Sequence, residues 1–169
     1  ALLMPRFYYP NNELTLGWKS RWHVSALAPV MTYSTLTLVN EQFLKDGIKS
    51  TRPGCDERPF GSPNCTTYGG PSSHAFAAGS ALGHGIAVFM FDTIRSDNQV
   101  NPISVVGNLV APFVLGAITV VGRSAGDHED AGQIMAGALP GLGVGFLLGM
   151  TYATMQRPEC GYSGGLICW

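Results

Sequence analysis

Four long segments almost without charge constrain this chain more than any other feature of its sequence. They share a near absence of Asp, Glu, Lys and Arg, and they span about residues 25–43, 71–91, 102–122 and 133–155. Because each segment is longer than an ordinary strand, the pattern predicts helices. Charged residues make up only 12% of the 169 residues, against roughly 25% in an ordinary soluble domain. The sequence therefore predicts an all-α fold, a bundle of about four long apolar helices.

The chain is expected to form one domain, because its length is sufficient for a single hydrophobic core. Residues 1–20 are rich in Pro and Asn and predict an irregular arm. Residues 21–157 hold the helical core, and residues 158–169 form a tail rich in Gly and Cys. The loops predicted at 45–70 and 123–132 carry most of the residues that could bind a ligand or take part in catalysis.

The four cysteines fall in two local pairs, Cys55 with Cys65 and Cys160 with Cys168. The loops around them are rich in Pro, Gly and Ser, and no Cys-x2-Cys or paired His accompanies them. This pattern favours two disulfides over a zinc site, and hence an oxidising compartment. The chain starts at Ala1 rather than at Met, which suggests a removed signal segment or a chosen boundary.

The apolar segments leave two arrangements open. Uncharged stretches of this length are typical of spanning helices, and the fourth has Gly-x3-Gly spacings that begin at Gly137 and Gly145. In an up-and-down bundle across a membrane, however, one cysteine pair would face a reducing cytosol. We therefore expect an exported protein, periplasmic or extracellular, whose helices are covered by each other, by partner subunits or by a membrane surface. An integral envelope protein with two free thiols is the alternative.

The first motif places two cations around a loop that ends in proline. Lys45 and Arg52 are separated by six residues, and Pro53 stiffens the turn that follows. Both cations can bind one anion, Arg52 through a bidentate fork and Lys45 as a point charge. A solvated charged loop is the plain alternative for this motif alone. The net charge of −1 offers no basic field for nucleic acid.

The second motif, Pro71-Ser72-Ser73-His74, directly precedes an apolar segment. Pro and Ser suit the beginning of a helix, where backbone N–H groups and two hydroxyls can bind an anion. His74 would then lie at the opening of the anion site, where a general acid for a leaving oxygen belongs. The alternative is an ordinary helix cap with a surface histidine.

The third motif runs from Arg123 to Asp130 and contains His128 between carboxylates. A carboxylate can hold a histidine in one tautomer and make it nucleophilic. The alternative is an acidic first turn of the next helix, which the helix dipole favours. The contiguous acidic residues are poorly spaced for Ca²⁺, so no metal site is expected.

The order of these motifs resembles the type 2 phosphatidic acid phosphatase and vanadium haloperoxidase superfamily. The superfamily pattern is Lys-x6-Arg-Pro, then Pro-Ser-Gly-His, then Ser-Arg-x5-His-x3-Asp, and the resemblance covers about residues 43–136. It implies an all-helical core in which His74 protonates the leaving group. It also implies that phosphate is bound by Lys45, Arg52, Ser72, Ser73 and Arg123.

The third motif departs from the superfamily pattern. Counting from Arg123 puts Glu129 in the nucleophile's position and Gln133 in the position of its Asp partner. His128 is one residue early. An interpretation that keeps the activity takes His128 as the nucleophile, with Asp130 or Gln133 as its orienting partner.

The leading hypothesis is a phosphatase outside the cytosol that needs no metal or organic cofactor. It would act on a phosphomonoester or on a lipid phosphate or diphosphate through a phosphohistidine at His128. The alternative from another class is a catalytically degenerate phosphatase-like domain, a structural subunit of a cell-envelope assembly. A vanadate-dependent haloperoxidase is a third hypothesis. The expected partners are a phosphorylated small molecule or lipid, with a membrane surface or assembly proteins in addition, and no nucleic acid.

Overall fold

The computed structural model describes residues 28–56, 61–62, 65–95, 100, 102–126 and 128–155. Within these residues the chain is helical and contains no strands, which confirms the predicted all-α class. The predicted arm at residues 1–20 and the tail at 158–169 lie outside the described residues. The same holds for the expected pairing of Cys160 with Cys168.

Four continuous helical segments form the bundle. In chain order the helices are α1 (Ala28–Val39), α2 (Lys45–Ile48), α3 (Ser73–Arg95), α4 (Pro102–Val105), α5 (Ala111–Ala125) and α6 (Ala131–Met155). Two π-helical turns, Asn40–Leu44 and Val106–Val110, join α1 to α2 and α4 to α5 without a break. The predicted helices are thus present, with ends that differ by a few residues.

The first helical segment extends further than the sequence predicted. Lys45, expected in a loop, is the first residue of α2 and is buried. Its Nζ lies 2.8 Å from Oε2 of Glu41, one turn earlier. Ion pairs at this spacing stabilise a helix, which explains why the helix continues to Ile48. Lys45 therefore approaches the start of α3 from a helix rather than from a flexible loop.

Helix α3 is central, since it contacts α1, α5 and α6. Its contact with α6 depends on glycines that allow the two backbones to meet. A Cβ atom added to Gly137 would fall on the carbonyl oxygen of Ser72, and one added to Gly145 would fall on that of Ser80. The Gly-x3-Gly spacing of α6 is thus the surface that fixes the distance between these helices.

Three segments, Ser73–Phe91, Val106–Ala125 and Ala131–Ala153, are long and apolar enough to cross a membrane. At 1.5 Å per residue, a 23-residue helix such as α3 is about 34 Å long, close to the thickness of a bilayer core. The outer face of α5 exposes large apolar side chains, among them Phe113 and Leu115. These surfaces are compatible with membrane association.

Candidate functional site

The predicted bridge between Cys55 and Cys65 is present and closes the loop between α2 and α3. Arg52, three residues before Cys55, binds Thr67 through one edge of its guanidinium group. Nε donates to the Thr67 carbonyl at 3.0 Å, and Nη2 donates to the Thr67 hydroxyl at 2.8 Å. The remaining Nη1 donates to the backbone carbonyl of His128 at 3.2 Å. Arg52 therefore connects the disulfide loop to the turn before α6.

Ser72 is the N-cap of α3. Its Oγ accepts a hydrogen bond from the backbone N–H of Ala75 at 3.1 Å, which satisfies one of the free donors of the first turn. The same hydroxyl donates to Oε2 of Glu129 at 2.5 Å. Ser72 thus holds a carboxylate from the turn before α6 at the start of α3, where the sequence predicted an anion site.

Glu129 is completely buried, and its charge is neutralised by Arg123 from the end of α5. Oε1 of Glu129 lies 3.1 Å from Nη2 of Arg123, whose side chain is 21% exposed. A buried carboxylate is stable only when it is paired and hydrogen-bonded. Arg123 and Ser72 together meet that requirement. Residues from the end of α5 and from the start of α3 therefore converge on this one side chain.

A second carboxylate, Glu41, lies beside the neighbouring serine. Its Oε2 accepts a hydrogen bond from Ser73 and forms the ion pair with Lys45. The hydroxyl of Ser73 also accepts a bond from Nδ2 of Asn40 at 3.0 Å. Asn40 and Glu41 belong to the π-helical turn after α1, and such turns often occur at functional sites.

Several contacts determine the ionisation of Glu41. Burial raises the pKa of its carboxyl, but the hydrogen bonds from Lys45 and Ser73 act in the opposite direction, as do the charges of Lys45 and His74. The sum lowers the pKa of Glu41 below its ordinary value of 4.5. Glu41 is therefore a stable anion at neutral pH and keeps Lys45 neutralised.

The two histidines predicted to be catalytic are both exposed. His74 lies in the first turn of α3. The imidazole of His128 lies against Gly126, close to where a side chain at that position would begin. Its backbone N–H donates to the carbonyl of Arg123 at 3.1 Å, and its own carbonyl accepts from Arg52. It is thus the backbone of His128 that contacts two of the predicted phosphate-binding residues.

Asp130 and Gln133, the two candidate orienting partners of His128, form a reciprocal cap at the start of α6. Oδ1 of Asp130 accepts from the backbone N–H of Gln133 at 2.8 Å, and Oε1 of Gln133 accepts from that of Asp130 at 3.2 Å. Nε2 of Gln133 donates to Oγ of Ser50 and to the carbonyl of Thr51. Both side chains therefore stabilise the helix start, and Gln133 also attaches it to the loop between α2 and α3.

The predicted phosphate-binding residues are gathered at one end of the bundle, in two groups. Ser72, Arg123 and Arg52 meet at residues 128–129, whereas Lys45 and Ser73 meet at Glu41. The sequence reasoning missed Glu41, although its spacing to Lys45 was a usable signal. It noted that Glu129 occupies the nucleophile's position in the superfamily pattern, but assigned that carboxylate no role.

The charges of this end nearly cancel. Lys45 is paired with Glu41 and Arg123 with Glu129, whereas Arg52 has no carboxylate partner among the residues that the structure describes. Its three nitrogens already donate to Thr67 and to the backbone of His128. The site as folded therefore offers little surplus positive charge to an anion from solution.

A separate polar cluster lies in the middle of the bundle. The Tyr33 hydroxyl donates to the carbonyl of Gly145 at 3.1 Å and lies 3.0 Å from Nδ1 of the buried His84. A hydroxyl has one proton to donate, so Nδ1 of His84 is the donor in that contact. Tyr152, which also contacts the His84 ring, bonds through its hydroxyl to Thr32 at 2.7 Å. These contacts join α1, α3 and α6.

Within the described part of the chain, no group of three or more His, Cys, Asp or Glu is arranged to hold a metal ion. No family model matches the chain, and no curated protein or solved structure matches it.

Proposed function

We propose that this chain is a catalytically degenerate domain of the phosphatidic acid phosphatase type, which acts as a membrane-associated structural subunit of a cell-envelope assembly. The observation that carries this proposal is the buried Glu129. It lies between Ser72 and Arg123, two residues that the resemblance assigns to phosphate, and it is itself the residue at the nucleophile's position.

The electrostatics of the site support a loss of catalysis. Phosphoryl transfer relies on fixed positive charge around the equatorial oxygens of the transition state. Here Lys45 and Arg123 are each neutralised by a carboxylate of the chain itself. A phosphate group entering the site would have to displace Glu129 or accept its repulsion.

The outer surface supports a role in an assembly at a membrane. The exposed side of α5 carries a row of large apolar side chains that no other described helix covers, namely Phe113, Val114, Leu115, Ile118 and Val121. Exposed apolar patches of this kind mark contacts with lipid or with other subunits. The bridge between Cys55 and Cys65 is consistent with an exported protein.

A phosphatase remains the second candidate, because one contact favours it. Arg52 donates to the carbonyl of His128 and so keeps that histidine next to Glu129 and Arg123. A rotation of this turn would bring the imidazole to the anion site, and catalytic contacts often tighten only when substrate is bound. In that case His128 would attack phosphorus and His74 would protonate the leaving oxygen.

Phosphate release distinguishes the two candidates. The full chain in detergent micelles is incubated with p-nitrophenyl phosphate and with phosphatidic acid, beside a known lipid phosphatase as a positive control. We expect wild type, His128→Ala and Arg52→Ala to release phosphate at the same background rate. A wild-type rate that exceeds both variants by about 100-fold or more, the usual effect of losing one donor that stabilises the transition state, would establish the phosphatase instead.

The structural role is tested by the mass of the native particle. The chain is extracted from its own membranes in mild detergent and its particle mass is measured, with the separately produced chain as the reference. A particle that contains further polypeptide in fixed ratio is expected. A particle identical to the reference would contradict the role as a subunit.

A further inference from the structure

Arg123 binds Glu129 through only one of the two N–H groups that could bind a carboxylate together. The Nε and Nη2 groups of a guanidinium point in the same direction, and together they bind a carboxylate or phosphate through two parallel hydrogen bonds. Nη2 of Arg123 contacts Oε1 of Glu129, whereas Nε is buried and has no hydrogen-bond partner among the described residues. Glu129 therefore leaves one donor of this edge unsatisfied.

The second oxygen of Glu129 bonds to Ser72 and does not complete the pair with Nε of Arg123. Oε2 accepts the hydroxyl proton of Ser72. The site thus presents three donors, the Nε and Nη2 groups of Arg123 and the hydroxyl of Ser72, and Glu129 as placed satisfies two of them. A tetrahedral oxyanion carries enough oxygens to satisfy all three.

A purely structural ion pair accounts less well for this geometry. Buried donors without a partner are rare in folded proteins, and each one calls for a specific explanation. Within the described chain, the buried side-chain atoms without a hydrogen-bond partner are Nε of Arg123 and Oγ of Ser80. The Lys45–Glu41 pair therefore leaves no buried side-chain donor unsatisfied. Ser80 lies two turns further along α3 and is not part of this site.

We propose that Glu129 is an autoinhibitory ligand, an internal carboxylate that occupies the Arg123–Ser72 site and excludes tetrahedral oxyanions of the phosphate class. The inference rests on the proposed function only in treating this end of the bundle as an anion site, and it holds whether or not the domain hydrolyses anything. Removing the charge of Glu129 frees the complete edge of Arg123 for an external oxyanion.

The test measures how inorganic phosphate changes the unfolding temperature of the full chain in micelles, with chloride at equal ionic strength as the reference. A ligand that binds only the folded state stabilises it by RT ln(1 + [L]/Kd), so the unfolding temperature keeps rising with ligand concentration once that concentration exceeds the Kd. Glu129→Gln keeps the size of the side chain and an acceptor for Ser72. We expect this variant to reach the same rise in unfolding temperature at a phosphate concentration about tenfold lower, or less, than wild type requires, a difference of about 1.4 kcal/mol in binding.

Asp46→Asn is the matched control, because it removes one exposed carboxylate near the site without touching Arg123 or Ser72. It should respond to phosphate as wild type does. Adding Arg123→Gln to Glu129→Gln should abolish the response. If Glu129→Gln does not fold, Glu129→Asp replaces it, since the shorter carboxylate cannot reach both Arg123 and Ser72 and should also increase the phosphate response.

Equal phosphate responses in wild type and in the folded Glu129 variant would overturn the proposal. So would a response that survives the loss of Arg123. These outcomes differ from a failure of the proposed function, which would appear as phosphate release by wild type in the turnover assay and not as a change in phosphate binding.

Discussion

Two ion pairs lie side by side at the start of α3, and they differ in which partner is buried. In the first pair Lys45 is 4% exposed and Glu41 is 38% exposed. In the second pair Glu129 is 0% exposed and Arg123 is 21% exposed. Each carboxylate also accepts a hydroxyl from one of two consecutive serines. Each pair therefore combines a cation, a carboxylate and a serine hydroxyl. The cation is the more buried partner in the first pair, and the carboxylate is the more buried partner in the second.

The comparison indicates how much stability a substitution in either pair should cost. The burial of the charged partner that remains should decide this cost, rather than the ion pair that is removed. An unpaired charge in the interior retains its full desolvation penalty, whereas a partly exposed one recovers part of its hydration. The pair of Arg123 and Glu129 should therefore be the more sensitive to loss of its cation, and the pair of Lys45 and Glu41 to loss of its anion.

The largest effect is expected for Arg123→Met, because it leaves the fully buried Glu129 without a counter-charge. We expect a loss of about 3–5 kcal/mol in the free energy of unfolding, the usual result of breaking a buried pair from one side. Denaturant titration of the full chain in micelles measures it, with Asp46→Asn as the surface control. A cost equal to that of Lys45→Met would contradict the comparison.

Glu41→Gln should have the next largest effect, because it leaves the buried ammonium group of Lys45 with a neutral partner. We expect a loss of about 1.5–3 kcal/mol, the usual contribution of a hydrogen bond to a charged group. The same titration measures the loss. Glu41→Asp, which keeps the charge, serves as the control and should cost less.

Lys45→Met should cost only about 1 kcal/mol, within the range of exposed ion pairs. The remaining carboxylate of Glu41 is partly hydrated and still accepts the hydroxyl of Ser73. If this variant is as destabilised as Glu41→Gln, the side-chain burial of the two partners does not govern the energetics of the pair.

The smallest effect is the pH dependence that Glu41 adds. Its pKa is lower in the folded chain than its ordinary value of 4.5, so the unfolded state binds a proton first as the pH falls. The stability from this group is complete above about pH 4.5 and is lost as the pH falls through the folded pKa. The difference in unfolding temperature between wild type and Glu41→Gln should therefore shrink below about pH 4.5 and stay constant above it.

The sequence predicted the helical segments well because their signal is local. Apolar stretches longer than a strand, with Pro and Ser before α3 and an acidic turn before α6, are properties of neighbouring residues. The bridge between Cys55 and Cys65 was predictable for the same reason, since its two cysteines are ten residues apart. The helical position of Lys45 was not predicted, because the motif that it forms with Arg52 and Pro53 is typical of a loop.

The sequence predicted which cations and serines lie near one another, but not which side chains they bind. The resemblance to the superfamily pattern grouped Lys45, Arg52, Ser72 and Arg123, and these residues do lie at one end of the bundle. What the spacing could not convey is that carboxylates would already occupy these groups. The cap formed by Asp130 and Gln133 directs the preceding turn inward at Glu129, and this direction depends on the packing of α6 against α3.

The sequence by itself thus determined which segments are helical and which loop is bridged, because each depends on composition or short spacing. Only the tertiary structure decided that Glu129, and not the imidazole of His128, faces Ser72 and Arg123. That choice follows from the close contact of α3 and α6 at Gly137, which brings residues 57 positions apart into hydrogen bonding. A rotation of one residue along the turn exchanges a histidine for a carboxylate, and only packing between distant segments selects one of them.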